Sequence, residues 1–243
     1  MAYIVMMLNR FLDGIARRTC LAIGAAAVLW ATPAAALSYR LVDADFPNCK
    51  GECPKVIVAS GTISQNEHLQ LFAFLEQSLG HGKVAQILVI ESPGGFTAGG
   101  LALGYALRKL KMSVIVGRWT GESLTGKSGL TSGTCASACV FALAGGTSRY
   151  FVTGSRVGVH RAHTGTAVLD PTTRLPVNAT VDHESGHAFF RQFFRTMGVD
   201  NGVVEKLAAT QSESMYWFSP DEMSRYRLAR DSSAGPTGEG KRR

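Results

Sequence analysis

The sequence predicts a layered α/β domain, because three apolar segments of strand length alternate with segments of helical character. The strand-like segments are 55–63, 84–92 and 112–117, and the helix-like segments between them are 65–79 and 101–111. Strands that alternate with helices in this way are typical of βαβ units with a largely parallel sheet. The chain of 243 residues, 46% of them hydrophobic, is long enough to bury the core of one such domain.

Each of these elements has a local signal. The run "KVIVASGTI" is rich in β-branched residues and ends at Gly and Ser, which favours a strand. In the helix-like segment that follows, apolar residues recur near helical spacing, and Asn66 is the expected N-cap. The run "VAQILVIES" is continuously apolar, as in strands that are buried on both faces.

The second half of the chain predicts further helices and short strands. "SRYFVTGSRVGVH" (148–160) reads as two short strands with a turn, and an amphipathic helix begins near Asp182. We expect its apolar face to contain Phe189, Phe190, Phe193, Phe194 and Met197. The remaining expectations are a loop at 118–134, a surface excursion at 161–181, two shorter helices near 201–210 and 220–227, and a disordered tail at 229–243.

Residues 1–36 resemble an export signal. Basic residues precede the apolar run "CLAIGAAAVLWA", and Ala34 and Ala36 supply the small side chains that a signal peptidase requires before Leu37. Cleavage there leaves 207 residues, with the folded domain at 37–228. The prediction is a periplasmic or secreted protein; the alternative is a protein anchored by an uncleaved N-terminal segment.

The charge excludes one class of partner. The net charge is +7, and it falls to +5 once the predicted signal is removed. The basic residues form no face interleaved with aromatic residues, so a nucleic acid is not an expected partner.

Four cysteines remain after the predicted cleavage, and an oxidising compartment favours disulfides. Four cysteines permit three pairings. We expect local pairing, of Cys49 with Cys53 in a loop and of Cys135 with Cys139 at a helix start. The alternative for Cys49 and Cys53 is half of a metal site.

Three segments contain the residue types that a serine hydrolase needs. "TCASAC" presents Ser137 between small residues before an apolar helix, "SRVGVH" ends a strand at His160, and "ESPGG" places two glycines after a strand. A serine hydroxyl becomes a nucleophile when an imidazole accepts its proton and N–H groups stabilise the developing oxyanion. Each segment also has a purely structural interpretation: an N-cap, a core or surface histidine, and a turn.

The order and spacing of these three segments resemble the Clp protease proteolytic subunit and its relatives in the Clp–crotonase superfamily, over roughly residues 55–228. That resemblance implies a spiral of repeated β-β-α units with extra C-terminal helices. It implies Ser137 as nucleophile, His160 as base, and the backbone N–H groups of Gly95 and Ala138 as the oxyanion hole. It also implies a peptide or protein substrate, self-association, and no metal or organic cofactor. Nothing in the sequence indicates an ATPase partner.

The sequence departs from the resembled pattern in two places. The position of the acidic third member falls on Met215, so Glu213 is the candidate for that role and a Ser–His dyad is the alternative. The loop at 118–134 is longer than the resembled proteins usually have. His163 competes with His160 for the role of base, and we favour His160 because it ends the apolar run.

Two other classes of function stay open. "HESGH" matches the HExxH zinc motif, in which His183 and His187 would bind zinc and Glu205 would be the third ligand. A catalytically inactive scaffold or binding protein that keeps the fold is the other alternative, and the missing aspartate favours it.

Overall fold

The computed structural model describes residues 35–44, 53–121, 129–161, 168–169, 176–177 and 183–234. Nearly all of the predicted export signal, the tail beyond residue 234 and most of the expected excursion at 161–181 lie outside these residues. All the elements below belong to one compact unit that begins at Ala34.

The strands and helices follow one another in the order that the sequence predicts. The helices are α1 Glu67–Gln77, α2 Thr97–Lys109, α3 Ala138–Gly145, α4 His183–Thr196, α5 Gly202–Ala209 and α6 Pro220–Arg225. The strands are β1 Ser38–Asp43, β2 Lys55–Ser60, β3 Val84–Glu91, β4 Ser113–Val116, β5 Arg118–Trp119, β6 Leu130–Thr131, β7 Thr134–Ala136, β8 Arg149–Phe151, β9 Arg156–Val159, β10 Val168–Leu169, β11 Pro176–Val177, β12 Tyr216–Trp217 and β13 Arg230–Asp231.

A six-stranded sheet forms the centre of the fold, in the order β1-β2-β3-β4-β8-β13. All its neighbouring strands are parallel except β1, which pairs antiparallel with β2. Ile57, Leu88, Ile90 and Val114 have no exposed surface. Their burial explains why these strands read as continuous apolar runs, since such strands are covered on both faces.

A second, smaller layer runs beside the carboxyl ends of the central strands. It contains the sheet β12-β9-β7 and isolated parallel bridges between Ile63 and Gly95 and between Ser92 and Cys135. Four of the six central strands are followed by a short extended segment and then a helix: β2 by α1, β3 by α2, β4 by β7 and α3, and β8 by β9 and α4. This fourfold repetition confirms the predicted spiral of β-β-α units with extra C-terminal helices.

The helix α3 is completely buried and passes through the centre of the molecule. It packs on α2 with backbone close to backbone, since a Cβ atom added at Gly100 would collide with the carbonyl oxygen of Ala138. On its other side the Phe141 ring contacts the rings of Phe193 and Phe194 of α4. Together, these contacts fix the position of the N-terminus of α3.

Four details differ from the predictions. The first residues of the tail expected at 229–243 belong to the fold, since Ala229 is buried and β13 pairs with β8. Asn66 is the N-cap of α1, but in the described structure its side chain makes no capping hydrogen bond; instead the Ser64 N–H donates to the buried Glu67 carboxylate at 2.8 Å. Phe189 is 51% exposed. The buried face of α4 is centred between Phe193 and Phe194, and residue 189 lies about a quarter turn of the helix from that centre. The expected loop at 118–134 contains an antiparallel pair, β5 with β6.

None of the helices in the described part of the chain is long and apolar enough to span a lipid bilayer.

Candidate active site

Ser137 lies at the sharp turn where β7 ends and α3 begins. Its backbone has φ 54° and ψ −119°. This conformation lies outside the left-handed helical region, which has a positive ψ, and L-residues rarely adopt it. Residues held in such regions cost on the order of 1–3 kcal/mol and tend to occur at functional sites. Ser137 is partly exposed.

Ser137 occupies the N-cap position of α3, but its hydroxyl makes no capping hydrogen bond within the described structure. Only its backbone is engaged: the Ser137 N–H donates to the Gly158 carbonyl at 2.8 Å, and its carbonyl accepts from the Val140 N–H at 3.0 Å. N-cap serines normally have extended backbone and use their side-chain oxygen. Ser137 therefore does not act as an ordinary N-cap serine.

The glycine turn of "ESPGG" lies directly against Ser137. A Cβ atom added at Gly94 would be 2.8 Å from Ser137 Cβ and 3.3 Å from the Ala138 amide nitrogen. Gly94 and Gly95 have φ 108° and 139°, which other residues rarely adopt. If residue 94 had a side chain, its backbone could not approach Ser137 this closely.

The two predicted oxyanion donors are both near this turn. The Ala138 N–H is the first of α3, where the helix offers it no acceptor. No hydrogen bond from the Gly95 N–H or the Ala138 N–H is found within the described residues. Two such N–H groups beside a hydroxyl are what a tetrahedral oxyanion requires.

A buried serine that the sequence analysis missed holds the glycine turn. Ser92 has no exposed surface, and its Oγ accepts a hydrogen bond from the Gly94 N–H at 3.1 Å. Its backbone also bonds to the strand that leads to Ser137, through the Ala136 N–H at 3.0 Å. Its signal in the sequence is its place before "PGG", where serine commonly starts a turn.

His160 reaches the same end of the small sheet by strand pairing. β7 and β9 are parallel, with Ala136 opposite Gly158, so Ser137 and His160 follow the carboxyl ends of adjacent strands. His160 is partly exposed. The rival His163 lies outside the described residues. The roles of Ser137 and His160 remain predictions.

The acidic third member of the catalytic set is the position at which this chain departs from the resembled pattern. β12 runs antiparallel to β9 with Tyr216 opposite Val159, so continuing the pairing by one residue brings Met215 opposite His160. The Met215 side chain packs on Gly158, with its Cγ 2.9 Å from where a Cβ of residue 158 would be. Glu213 is exposed and accepts a hydrogen bond from the Ser212 hydroxyl at 2.8 Å.

The predicted local disulfide at the site is confirmed: Cys135 and Cys139 are bonded, with their Cα atoms 5.2 Å apart. Both are fully buried. Cys53 is also disulfide-bonded. Cys49, its expected partner, lies outside the described residues.

The HExxH segment lies on α4. His187 is partly exposed, Glu205 is exposed on α5, and the His183 side chain lies outside the described residues. Within the described part of the chain no three His, Cys, Asp or Glu residues are grouped closely enough to hold a metal ion.

No protein-family model and no curated protein matches this sequence. Solved structures that are similar to it include the following two. A mutant of the 1510-N membrane-bound stomatin-specific protease has 13% sequence identity and a TM-score of 0.45, over 72% of this chain and 76% of that one. A mutant of ClpP1 from Listeria monocytogenes has 15% identity and a TM-score of 0.44, over 72% and 89%.

At TM-scores below 0.5, neither likeness carries weight for activity. The repeated β-β-α units of the chain itself establish the fold class, and it is the Clp-protease-like α/β spiral that the sequence resemblance implied.

Proposed function

We propose that the protein is an exported serine hydrolase that acts on peptide bonds. The conformation of Ser137 is the observation that supports this most directly. Its backbone is strained, its hydroxyl is not used as a cap, and it lies against a glycine turn at the end of the strand beside β9. A serine with only a structural role would not need this backbone.

In the proposed reaction the Ser137 Oγ attacks the carbonyl carbon of the substrate while His160 accepts the hydroxyl proton. The N–H groups of Gly95 and Ala138 donate to the oxyanion of the tetrahedral intermediate. His160 then gives the proton to the leaving amine, and the acyl group stays on Ser137. Water hydrolyses this ester: His160 takes the proton of the attacking water, and Ser137 regains its own as the acid leaves.

The proposed third member is Glu213, with a Ser137–His160 dyad as the alternative, because Met215 stands where the acid of the resembled pattern is expected. An orienting acid is worth about 10⁴ in kcat in serine proteases that contain one. We therefore propose a slow hydrolase, and Met215 opposite His160 is the reason. The disulfide beside the site supports the proposed export, because disulfides persist in oxidising compartments.

The proposed partner is a peptide or protein substrate, with no ATPase implied. Self-association stays part of the proposal on the sequence resemblance, and the mass of the purified protein in solution tests it.

The direct test is covalent labelling with a fluorophosphonate probe. We expect the purified protein to be labelled, and Ser137→Ala and His160→Ala to lose the label. Ser132→Ala and His81→Ala are matched controls, because both residues are exposed and lie outside the site. Circular dichroism establishes that each variant is folded.

Labelling of Ser137→Ala at the rate of the unmodified protein, or no labelling of the unmodified protein, would overturn the proposal. Hydrolysis that a chelator abolishes and Ser137→Ala leaves intact would favour the zinc alternative at "HESGH" instead.

A further inference from the structure

We propose that the disulfide between Cys135 and Cys139 is a positioning device that holds the strained backbone of Ser137. The inference rests on the proposed function for its catalytic consequence. Cys135 lies in β7 and Cys139 in the first turn of α3, so each is two residues from Ser137. The bond closes the turn that contains the nucleophile into a ring of five residues.

The location of the bond is unusual for a disulfide that contributes only to the stability of the whole fold. In chain-entropy terms a disulfide stabilises more when it closes a longer loop, and this one closes a very short loop. Both half-cystines are fully buried. What the bond constrains most is the local backbone of residues 136–138.

That backbone needs a constraint. A strained conformation persists only where its surroundings over-determine it. The residues on either side of Ser137 are alanines, whose single methyl groups provide little packing to hold a kink. Hydrogen bonds from the Ala136 N–H to Ser92 and from the Ser137 N–H to Gly158 hold the strand side of the turn. The disulfide ties the helix side to it.

Two groups of the proposed reaction lie inside the ring: the Ser137 hydroxyl and the Ala138 N–H. Removing the bond lets the Ser137 backbone relax towards an ordinary conformation, which rotates the hydroxyl and the first amide of α3 together. Binding of a probe by the rest of the site is unaffected. The loss is therefore in the chemical step.

The test compares two double variants that each remove one pair of cysteines. Cys135→Ala/Cys139→Ala removes the bond at the site. Cys49→Ala/Cys53→Ala removes the other predicted pair, of which Cys53 is disulfide-bonded and lies two residues before β2. Labelling by the fluorophosphonate is measured over a range of probe concentrations, which separates the maximal rate constant from the apparent probe affinity. All assays run below the measured unfolding temperature of each variant.

We expect Cys135→Ala/Cys139→Ala to lower the maximal labelling rate by about 10- to 100-fold, the equivalent of the backbone strain that is released. The apparent probe affinity stays within about twofold, since only a transition-state interaction is lost. The control variant keeps the rate of the unmodified protein. Equal rates in both variants and the unmodified protein would overturn the inference, as would a loss confined to probe affinity.

A second readout does not depend on activity. Backbone ¹³C and ¹⁵N chemical shifts of residues 136–138 report the φ and ψ of Ser137 directly. We expect the shifts of Ser137 and Ala138 to move in Cys135→Ala/Cys139→Ala and not in the control. If the unmodified protein is not labelled, the proposed function fails, and these shifts still decide the positioning role: unchanged shifts would refute it.

Discussion

Gly95 is the residue where the site depends most on the absence of a side chain. Its φ is 139°, and a Cβ atom there would collide with the carbonyl oxygen of Ile63. We expect Gly95→Ala to displace the turn and to lower the rate of fluorophosphonate labelling by about 10²-fold, the lower end of the loss for a missing oxyanion donor.

Gly80→Ala is the matched control for Gly95→Ala. Gly80 also has a positive φ, 90°, but has no atom within 4 Å of an added Cβ. Both variants strain the backbone, and denaturant unfolding measures that cost, about 1 kcal/mol. Labelling should fall in Gly95→Ala alone; a similar loss in both would mean that the turn does not serve the site.

Met215 offers a test by gain of function. Its place opposite His160 predicts that Met215→Asp puts a carboxylate next to the imidazole. We expect labelling to become faster by about tenfold, a fraction of the contribution of a native triad acid.

Met215→Asn provides the comparison for this variant, because it has the same shape without the charge. A faster rate in both variants, or an unchanged rate in Met215→Asp, would show that a carboxylate at this position does not act on His160.

At the scale of elements, helix α6 depends on a capping box. The Ser219 hydroxyl accepts from the Glu222 N–H at 3.2 Å, and the Glu222 carboxylate accepts from the Ser219 N–H at 3.0 Å. The Tyr216 hydroxyl donates to the same carboxylate. The hydrogen bond from Tyr216, followed by that from the Ser219 backbone, lowers the pKa of Glu222 below its ordinary 4.5.

The pH dependence of stability follows from that shift. A carboxyl whose pKa is lowered by folding stabilises the fold above its unfolded pKa, and this contribution is lost as the pH falls through the folded pKa. We expect the free energy of unfolding to fall less steeply in Glu222→Gln than in the unmodified protein, as the pH drops from about 5 to about 3. Urea unfolding at several pH values measures it.

Asp221→Asn tests whether this effect belongs to the capping box. Asp221 is an exposed acid in the same first turn, so it matches Glu222 in charge and location. Its substitution should leave the slope of stability against pH close to that of the unmodified protein, and an equal change in both variants would contradict the capping explanation.

At the scale of the whole molecule, Arg149 ties together segments that are far apart in sequence. Its guanidinium donates to the carbonyl oxygens of Gly146 at 2.9 Å, Met197 at 3.0 Å, Leu228 at 3.1 Å and Arg227 at 2.7 Å. The Met197 carbonyl follows α4, and Gly146 follows α3. One cation thus donates hydrogen bonds to backbone carbonyls at the carboxyl ends of two helices and in the segment before β13.

Burial, together with the charges of nearby arginines, lowers the pKa of Arg149 to about 10, so the side chain is charged at neutral pH. Arg149→Gln leaves several partly buried carbonyls without a donor. We expect it to lower the free energy of unfolding by about 3 kcal/mol, which urea denaturation at pH 7 measures.

Arg149 and Arg230 both line a cavity of about 150 Å³. Arg230→Gln is the matched control, because Arg230 is exposed and makes no such hydrogen bonds among the described residues. Its effect should stay within about 0.5 kcal/mol. A comparable loss in both variants would point to charge rather than to hydrogen bonding.

The sequence was most informative where an element has a clear hydrophobic pattern along its own length. Continuous apolar runs predict buried strands, and the stripe through Phe193 predicts the buried face of α4. The antiparallel pair of β5 and β6 was not predicted, because strands of two residues are too short to show an alternation of apolar and polar residues. Asn66 is the N-cap of α1 as predicted. The hydrogen bond from the Ser64 N–H to the Glu67 carboxylate was not predicted, because the burial of Glu67 comes from tertiary packing that spacing does not reveal.

The sequence by itself determined the order of the elements, the fold class and the three segments that could hold a hydrolase site, because each depends on residues close together in the chain. Only the tertiary structure decided the φ of Ser137, the packing of Gly94 against it and the place of Met215 opposite His160. These depend on strand pairings between distant segments, and the register of a pairing is set by packing of the whole core.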